Sequence, residues 1–179
     1  MRTSFVTFAA LALAATPLAA QDVPAAGTPH RQVLSFQPLS AIFTVYAAEY
    51  ERVVGSSATV GVGATYWGED DEDVLDVSYI STDLKLRYYP SGSPLSGFSF
   101  GGSVGYTRVA EEGEFGKTNG VRGVTIGTMI EYGWLLNANR SFYIGLGIGA
   151  KALFIDEDEL DEDITPRYPT ARFSIGWAF

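Results

Sequence analysis

The chain has 179 residues, 20 Gly, 11 Phe, 10 Tyr and 3 Trp, with 21 Asp and Glu against 12 Lys and Arg. Its single His, absence of Cys and mean hydropathy of +0.09 complete the composition. These values exclude a disordered chain, a disulfide-stapled domain, a cysteine-anchored lipoprotein and a basic nucleic-acid binder.

Residues 1–20 read as a secretory signal peptide. Arg2 supplies the positive start, Phe5 to Ala15 is an uncharged apolar run, and Leu18-Ala19-Ala20 precedes Gln21-Asp22. The alternative, an anchor helix, fails on length and on Pro17. Removing residues 1–20 from 179 leaves 159, a size for one domain. Residues 21–31 are expected to form a flexible periplasmic tail, and residues 32–179 the folded domain.

From residue 32 the pattern is that of strands, with apolar and small or polar residues alternating. Segment one, Gln32 to Gln37, puts Leu34 and Phe36 on one face. Segment two, Phe43 to Arg52, sets Tyr46, Ala48 and Tyr50 against Val45, Ala47, Glu49 and Glu51. Segment three, Ala58 to Trp67, sets Val60, Val62 and Tyr66 against Thr59, Gly61, Gly63 and Thr65. Segment four, Val77 to Tyr89, sets Ile80, Leu84, Leu86 and Tyr88 against Ser81, Asp83, Lys85 and Arg87. Segment five, Phe98 to Val109, sets Phe98, Phe100, Val104 and Tyr106 against Ser99, Gly101, Ser103 and Gly105. Segment six, Val121 to Trp134, sets Val124, Ile126, Ile130 and Trp134 against Thr125, Gly127, Met129 and Glu131. Segment seven, Ser141 to Phe154, sets Phe142, Ile144, Leu146 and Ile148 against Tyr143, Gly145, Gly147, Gly149 and Lys151. Segment eight, Tyr168 to Phe179, ends in Phe173, Ile175, Trp177 and Phe179 on one face, with Arg172, Ser174, Gly176 and Ala178 on the other.

An aromatic row at a chain end is an aggregation hazard in water. In a closed barrel, lipid covers the row and a neighbouring strand pairs the edge. No uncharged apolar run reaches the roughly 20 residues of a spanning helix. The longest uncharged stretch, Tyr88 to Thr107, is full of Gly, Ser and Pro. Eight strands with both ends on one side therefore predict an all-β, antiparallel, up-and-down transmembrane barrel. The weak joint is Pro38 to Phe43, too short and apolar for a surface loop. It is expected to be a tight turn or a bulged strand, since Pro interrupts a ladder.

The connections fall into two kinds. Val53 to Ser57, Pro90 to Gly97 and Leu135 to Arg140 are short and lack acid; Gly68 to Asp76, Glu111 to Gly120 and Ile155 to Arg167 are longer and hold 16 of the 21 acidic residues. Short turns belong to the periplasm and long loops to the outside. The acidity is thus an extracellular feature.

The terminal Phe179 with its alternating aromatic strand resembles the C-terminal signal of bacterial outer-membrane barrels. The whole chain resembles the small eight-stranded barrels of the OmpA/OmpX type. Its opening, LSFQPLSAIFTVYAAEYERVV, is similar to an uncharacterised family of small outer-membrane barrels, in which a Pro-Leu-Ser element precedes a strand ending like Tyr50-Glu51-Arg52. The resemblance implies residence in the outer membrane of a Gram-negative bacterium and insertion by the barrel-assembly machinery, with Phe173, Ile175, Trp177 and Phe179 as the assembly signal. It implies no particular activity.

Strand parity places Glu49, Glu51, Asp83, Lys85, Arg87, Glu131, Lys151 and Arg172 inside, four acids and four bases. An eight-stranded barrel is just wide enough for side chains. Each charge there needs a partner, so a closed ion-pair network filling the lumen is expected. OmpA-like barrels resemble this arrangement, with interior salt bridges that block or gate the lumen, and the runner-up reading is a narrow or gated ion pore. A soluble lipocalin-like barrel would have to line its ligand cavity with Asp, Lys and Arg. An enzyme is not expected: the one His, His30, precedes the first strand, and general base work near neutral pH favours a His. No cofactor is expected. Gly145-x-Gly147-x-Gly149 has strand period and lacks the context of a phosphate loop.

The acidic loops bring Asp70, Asp71 and Asp73 to one connection and Asp156, Asp158, Asp161 and Asp163 to another. Without a turn Gly or flanking helices the second is no EF-hand. It is expected to be solvated, or to hold Ca²⁺ or Mg²⁺ weakly and bridge to anionic lipopolysaccharide. Lys117 and Arg167 are the two bases counted near these loops. The protein is expected to be a monomer with a structural or surface-interaction role.

Overall fold

The computed structural model describes residues 30–69, 76–112, 118–155 and 166–179. Eight strands appear in chain order: β1 (Gln32–Phe36), β2 (Val45–Val53), β3 (Ala58–Glu69), β4 (Asp76–Tyr88), β5 (Gly97–Glu112), β6 (Thr118–Leu136), β7 (Phe142–Ile155) and β8 (Arg167–Ala178). They form one closed barrel in which every strand pairs its sequence neighbours antiparallel and β8 returns to β1. This is the architecture the alternation predicts, with strand ends shifted by a few residues where the ladders run on into the long connections.

Period-2 alternation becomes two faces. Leu84, Leu86, Tyr88, Phe98, Phe100, Val104, Ile126 and Ile148 are exposed, while Ser81, Asp83, Arg87, Ser99, Thr125 and Glu131 are buried. The usual preference for apolar interiors is inverted. Closure gives every strand a partner on both sides, along its whole length except beside the short β1.

The seam between β1 and β8 is short. β1 meets β8 only from Val33↔Ala178 to Phe36↔Ile175, and β2 only from Gln32↔Arg52 to Phe36↔Ala48. The backbone of Phe179 extends the seam: its carbonyl accepts from the amides of Arg31 (3.1 Å) and Gln32 (3.0 Å), and its own amide donates to the Gln32 carbonyl at 2.9 Å. Beyond Phe36 the chain is neither the tight turn nor the bulged strand that Pro38 predicts. It forms a single helical turn, α1 (Pro38–Ala41). Pro38 suits the first helical position, where its missing N–H would be unsatisfied anyway. Ser40 Oγ donates to the Gln37 carbonyl at 2.8 Å. The amides of Phe43 and Thr44 then close on the carbonyls of Ser40 and Ala41 at 2.9 and 3.1 Å. Thr44 turns the chain into β2 with φ of 60°. Ile42 and Phe43, each 73% exposed, point away from the barrel.

The signal segment and most of the tail, residues 1–29, lie outside the described residues. So do the loop acids Asp70, Asp71, Asp73, Asp156, Asp158, Asp161 and Asp163.

Candidate functional site: the charged lumen

All eight residues that parity places inside are in the lumen, and they meet as ion pairs. Glu49 on β2 is the hub. It binds Lys85, its Oε1 lies 2.6 Å from Arg87 Nη2, and its Oε2 lies 2.8 Å from Arg172 Nη1. Arg87 also reaches Glu51 at 2.9 Å and Glu131 at 3.4 Å, and Arg172 reaches Glu131 at 3.4 Å. Lys151 and Asp83 stand apart as a pair, with Nζ 2.8 and 2.7 Å from the two carboxylate oxygens. Groups so deeply buried persist as ions only when paired.

Small residues make this possible. A Cβ on Gly63 would sit 3.1 Å from Lys85 Nζ, and one on Gly105 would sit 2.4 Å from Asp83 Oδ1. Glycine on one strand therefore leaves the volume that a long charged chain on its neighbour fills.

Hydroxyls complete the acid side. Thr59 Oγ1 and Tyr89 OH donate to Glu51 Oε1 at 2.5 and 2.8 Å, and Tyr143 OH donates to Glu131 Oε1 at 2.7 Å. Tyr143 also belongs to an apolar cluster with Val33, Leu95 and Ala178, flanked by Val53 and Leu135. That cluster sits at the end of the barrel where the short turns and the chain terminus gather. Leu95 comes from the β4–β5 turn, takes φ of 69° and is completely buried. A turn residue thus folds back and seals the lumen from one end. Parity gives Tyr89 and Tyr143 their inward side. Leu95 carries no signal of this kind, because turns lack a period.

At the other side of the network lies a cavity of about 380 Å³. Among the described residues, the charged ones on its wall are Lys85, Arg87, Lys151 and Arg172, with Asp83 the one acid; Glu49, Glu51 and Glu131 do not line it. The neutral set expected from parity is therefore polarised toward the cavity only in part: all four bases and Asp83 line it, and the three glutamates do not.

The outward face of the aromatic strand is as parity predicts. Trp177 and Phe179 are exposed, Phe173 and Ile175 half-buried, and Arg172, Ser174 and Ala178 buried inside. Near the long-loop end, Arg108 on β5 and Arg122 on β6 are direct cross-strand partners on the outward face. They add to Lys117 and Arg167 as bases near the long-loop end. His30 lies outside the strands, its Nε2 2.7 Å from the Asn139 carbonyl of the β6–β7 turn.

No family model and no curated protein matches the chain. Among solved structures it is similar to the N-terminal β-barrel domain of Pseudomonas aeruginosa OprF, at 13% identity and a TM-score of 0.48, over 86% of this chain and 99% of that one. It is also similar to Ail, the attachment invasion locus protein of Yersinia pestis, solved with the heparin analogue sucrose octasulfate. There the identity is 13% and the TM-score 0.49, over 85% of this chain and 100% of the other. By its own topology the chain is a small, closed, eight-stranded antiparallel barrel.

Proposed function

We propose that the protein is a monomeric barrel of the Gram-negative outer membrane, with a structural or surface-interaction role and a lumen closed by paired charge. The observation that carries this reading is the inverted burial: large apolar side chains cover the outside, and Glu49, Glu51, Asp83, Arg87, Glu131 and Arg172 are buried inside. Water disfavours so much exposed apolar surface, whereas lipid welcomes it and leaves only a closed barrel able to satisfy its backbone. The short turns and both chain ends then face the periplasm, and the acidic loops face outward. The exposed Phe179 and Trp177 at the end of β8 suit recognition by the barrel-assembly machinery. Arg108 and Arg122, level with each other on the lipid side, suit contact with lipopolysaccharide phosphates. Divalent-cation bridging by the acidic loops remains part of the proposal. Catalysis has no place in it: His30 is held at the β6–β7 turn, and the lumenal carboxylates are engaged by bases and hydroxyls.

The test is heat modifiability. Refolded into detergent or lipid, the protein should run at two positions on a gel, one unboiled and one boiled. A monomer that stays soluble in buffer without detergent would end this reading.

A further inference from the structure

The lumenal cavity, the short β1 and the polarised charge set converge on one place. β8 begins at Arg167, yet β1 pairs with it only from Ile175 onward. β2 extends to Val45, yet β1 stops opposite Ala48. Between these edges the wall is α1 instead of a strand. Pro169 marks the same edge, since a strand proline is tolerated where no ladder partner needs its N–H. The cavity is lined from both sides of this gap, by Gln37 and Ser40 on one and Pro169 and Ala171 on the other. Outside it stand Leu39, Ile42 and Phe43, all exposed.

The cavity wall carries four bases, Lys85, Arg87, Lys151 and Arg172, against Asp83 among the described residues. Lys85 and Lys151 are the least buried of the lumenal charges, at 14% and 16% side-chain exposure. Arg172 is only 5% exposed, and its Nε has no hydrogen-bond partner among the described residues; the same holds for Thr170 Oγ1. Both residues line the cavity. Tyr79, Tyr168, Met129 and Val45 add apolar surface to the wall. A pocket of this size with a few convergent polar groups is the usual form of a small-molecule site. The excess of bases over acids on the described wall selects an anion, and the apolar lining with the gap beside α1 selects a tail.

We propose that the upper lumen binds a single-chain anionic amphiphile, with its carboxylate or phosphate head at Lys85 and Lys151 and its acyl chain passing beside α1 to the bilayer. This rests on the membrane reading above. In the bound state the head accepts hydrogen bonds from the two ammonium groups, with Arg172 Nε and Thr170 Oγ1 on β8 as further donors at the edge of the gap.

The experiment uses the full mature chain refolded into phosphatidylcholine nanodiscs and a photoreactive oleate, with cross-links mapped by mass spectrometry. Labelling should saturate and map to the cavity wall. Oleate should compete, while oleyl alcohol and inorganic phosphate at the same concentration should not. Lys151→Met should weaken labelling about tenfold, the loss of one charge-assisted hydrogen bond. Lys151→Met leaves Asp83 without its base, so Asp83→Asn with Lys151→Met serves as the charge-neutral variant and should lose labelling equally. Ser103→Leu, which fills the cavity and keeps every charge, should lose it too. Competition by oleyl alcohol equal to oleate, or by phosphate alone, would overturn the assignment of head and tail. Unchanged labelling in all three variants would overturn the site. Failure to insert or to show a heat-shifted band would count against the membrane reading instead, and is scored separately by the gel.

Discussion

Glu49 shows what the lumen demands of a single residue. Three bases share its carboxylate, two of them through contacts of 2.6 and 2.8 Å. Glu49→Ala would leave Lys85, Arg87 and Arg172 with too little negative charge in a dry interior. The expected cost is about 3–5 kcal/mol, read as a fall in the urea midpoint in lipid vesicles. Asp83 with Lys151 provides the contrast, because Lys151 borders the cavity. Removing that pair together should cost less than Asp83→Asn alone, and the double-mutant cycle isolates their coupling. Equal and mild effects everywhere would mean that water reaches the network. Leu95 carries a different tension: it is fully buried but held at φ of 69°. A left-handed conformation costs an L-residue about 1–2 kcal/mol and glycine nearly nothing. Leu95→Gly should therefore be more stable than Leu95→Ala by about 1 kcal/mol, although both lose the buried side chain. The opposite order would show that the turn relaxes once the leucine is gone.

At the scale of elements, the strands were legible and the joint between β1 and β2 was not. Lipid on one face and a packed lumen on the other impose a strict period of two, and that period is written into β3 to β8 residue by residue. Glu131, Lys151 and Arg172 could be placed inside by parity alone. What parity cannot give is height along the barrel, so which lumenal charges would border the cavity was invisible in the sequence. Pro38 announced an interruption, but its form depended on β8 continuing where β1 stops. Leu95 lies in a turn, and its inward fold is set by the cavity it fills. The seam also yields a prediction. A Cβ on Gly176 would lie 2.3 Å from the Leu34 carbonyl and 2.8 Å from Ser35 Cα. Backbone cannot yield there without breaking the β1–β8 ladder. Gly176→Val should abolish the fast-migrating folded band, and deletion of Phe179, which removes three backbone hydrogen bonds to residues 31 and 32, should impair assembly more than deletion of residues 21–28. Normal folding yields for both variants would show that closure tolerates a distorted seam.

For the molecule as a whole, the decisive property is whether the lumen conducts. Two seals lie in series along it. The first is the apolar cluster of Val33, Leu95, Tyr143 and Ala178 at the short-turn end. The second is the ion-pair network, joined to the first where Tyr143 donates to Glu131. An ion crossing the barrel would have to shed its water at the cluster and then separate partners that hold each other in a poorly polarisable interior. Seals in series make each one sufficient, so the wild-type protein should give no steady conductance in planar bilayers, and Leu95→Ala alone should stay silent because the network still spans the lumen. Opening both should be needed. Leu95→Ala combined with Glu131→Gln and Arg172→Met keeps the remaining lumenal charge balanced at Glu49, Glu51 and Asp83 against Lys85, Arg87 and Lys151. Once its folded band is verified on the gel, this variant should conduct, with currents absent from either parent. Steady conductance from the wild type would instead mean that the seals open at rest, and the gated-pore reading would replace the closed one.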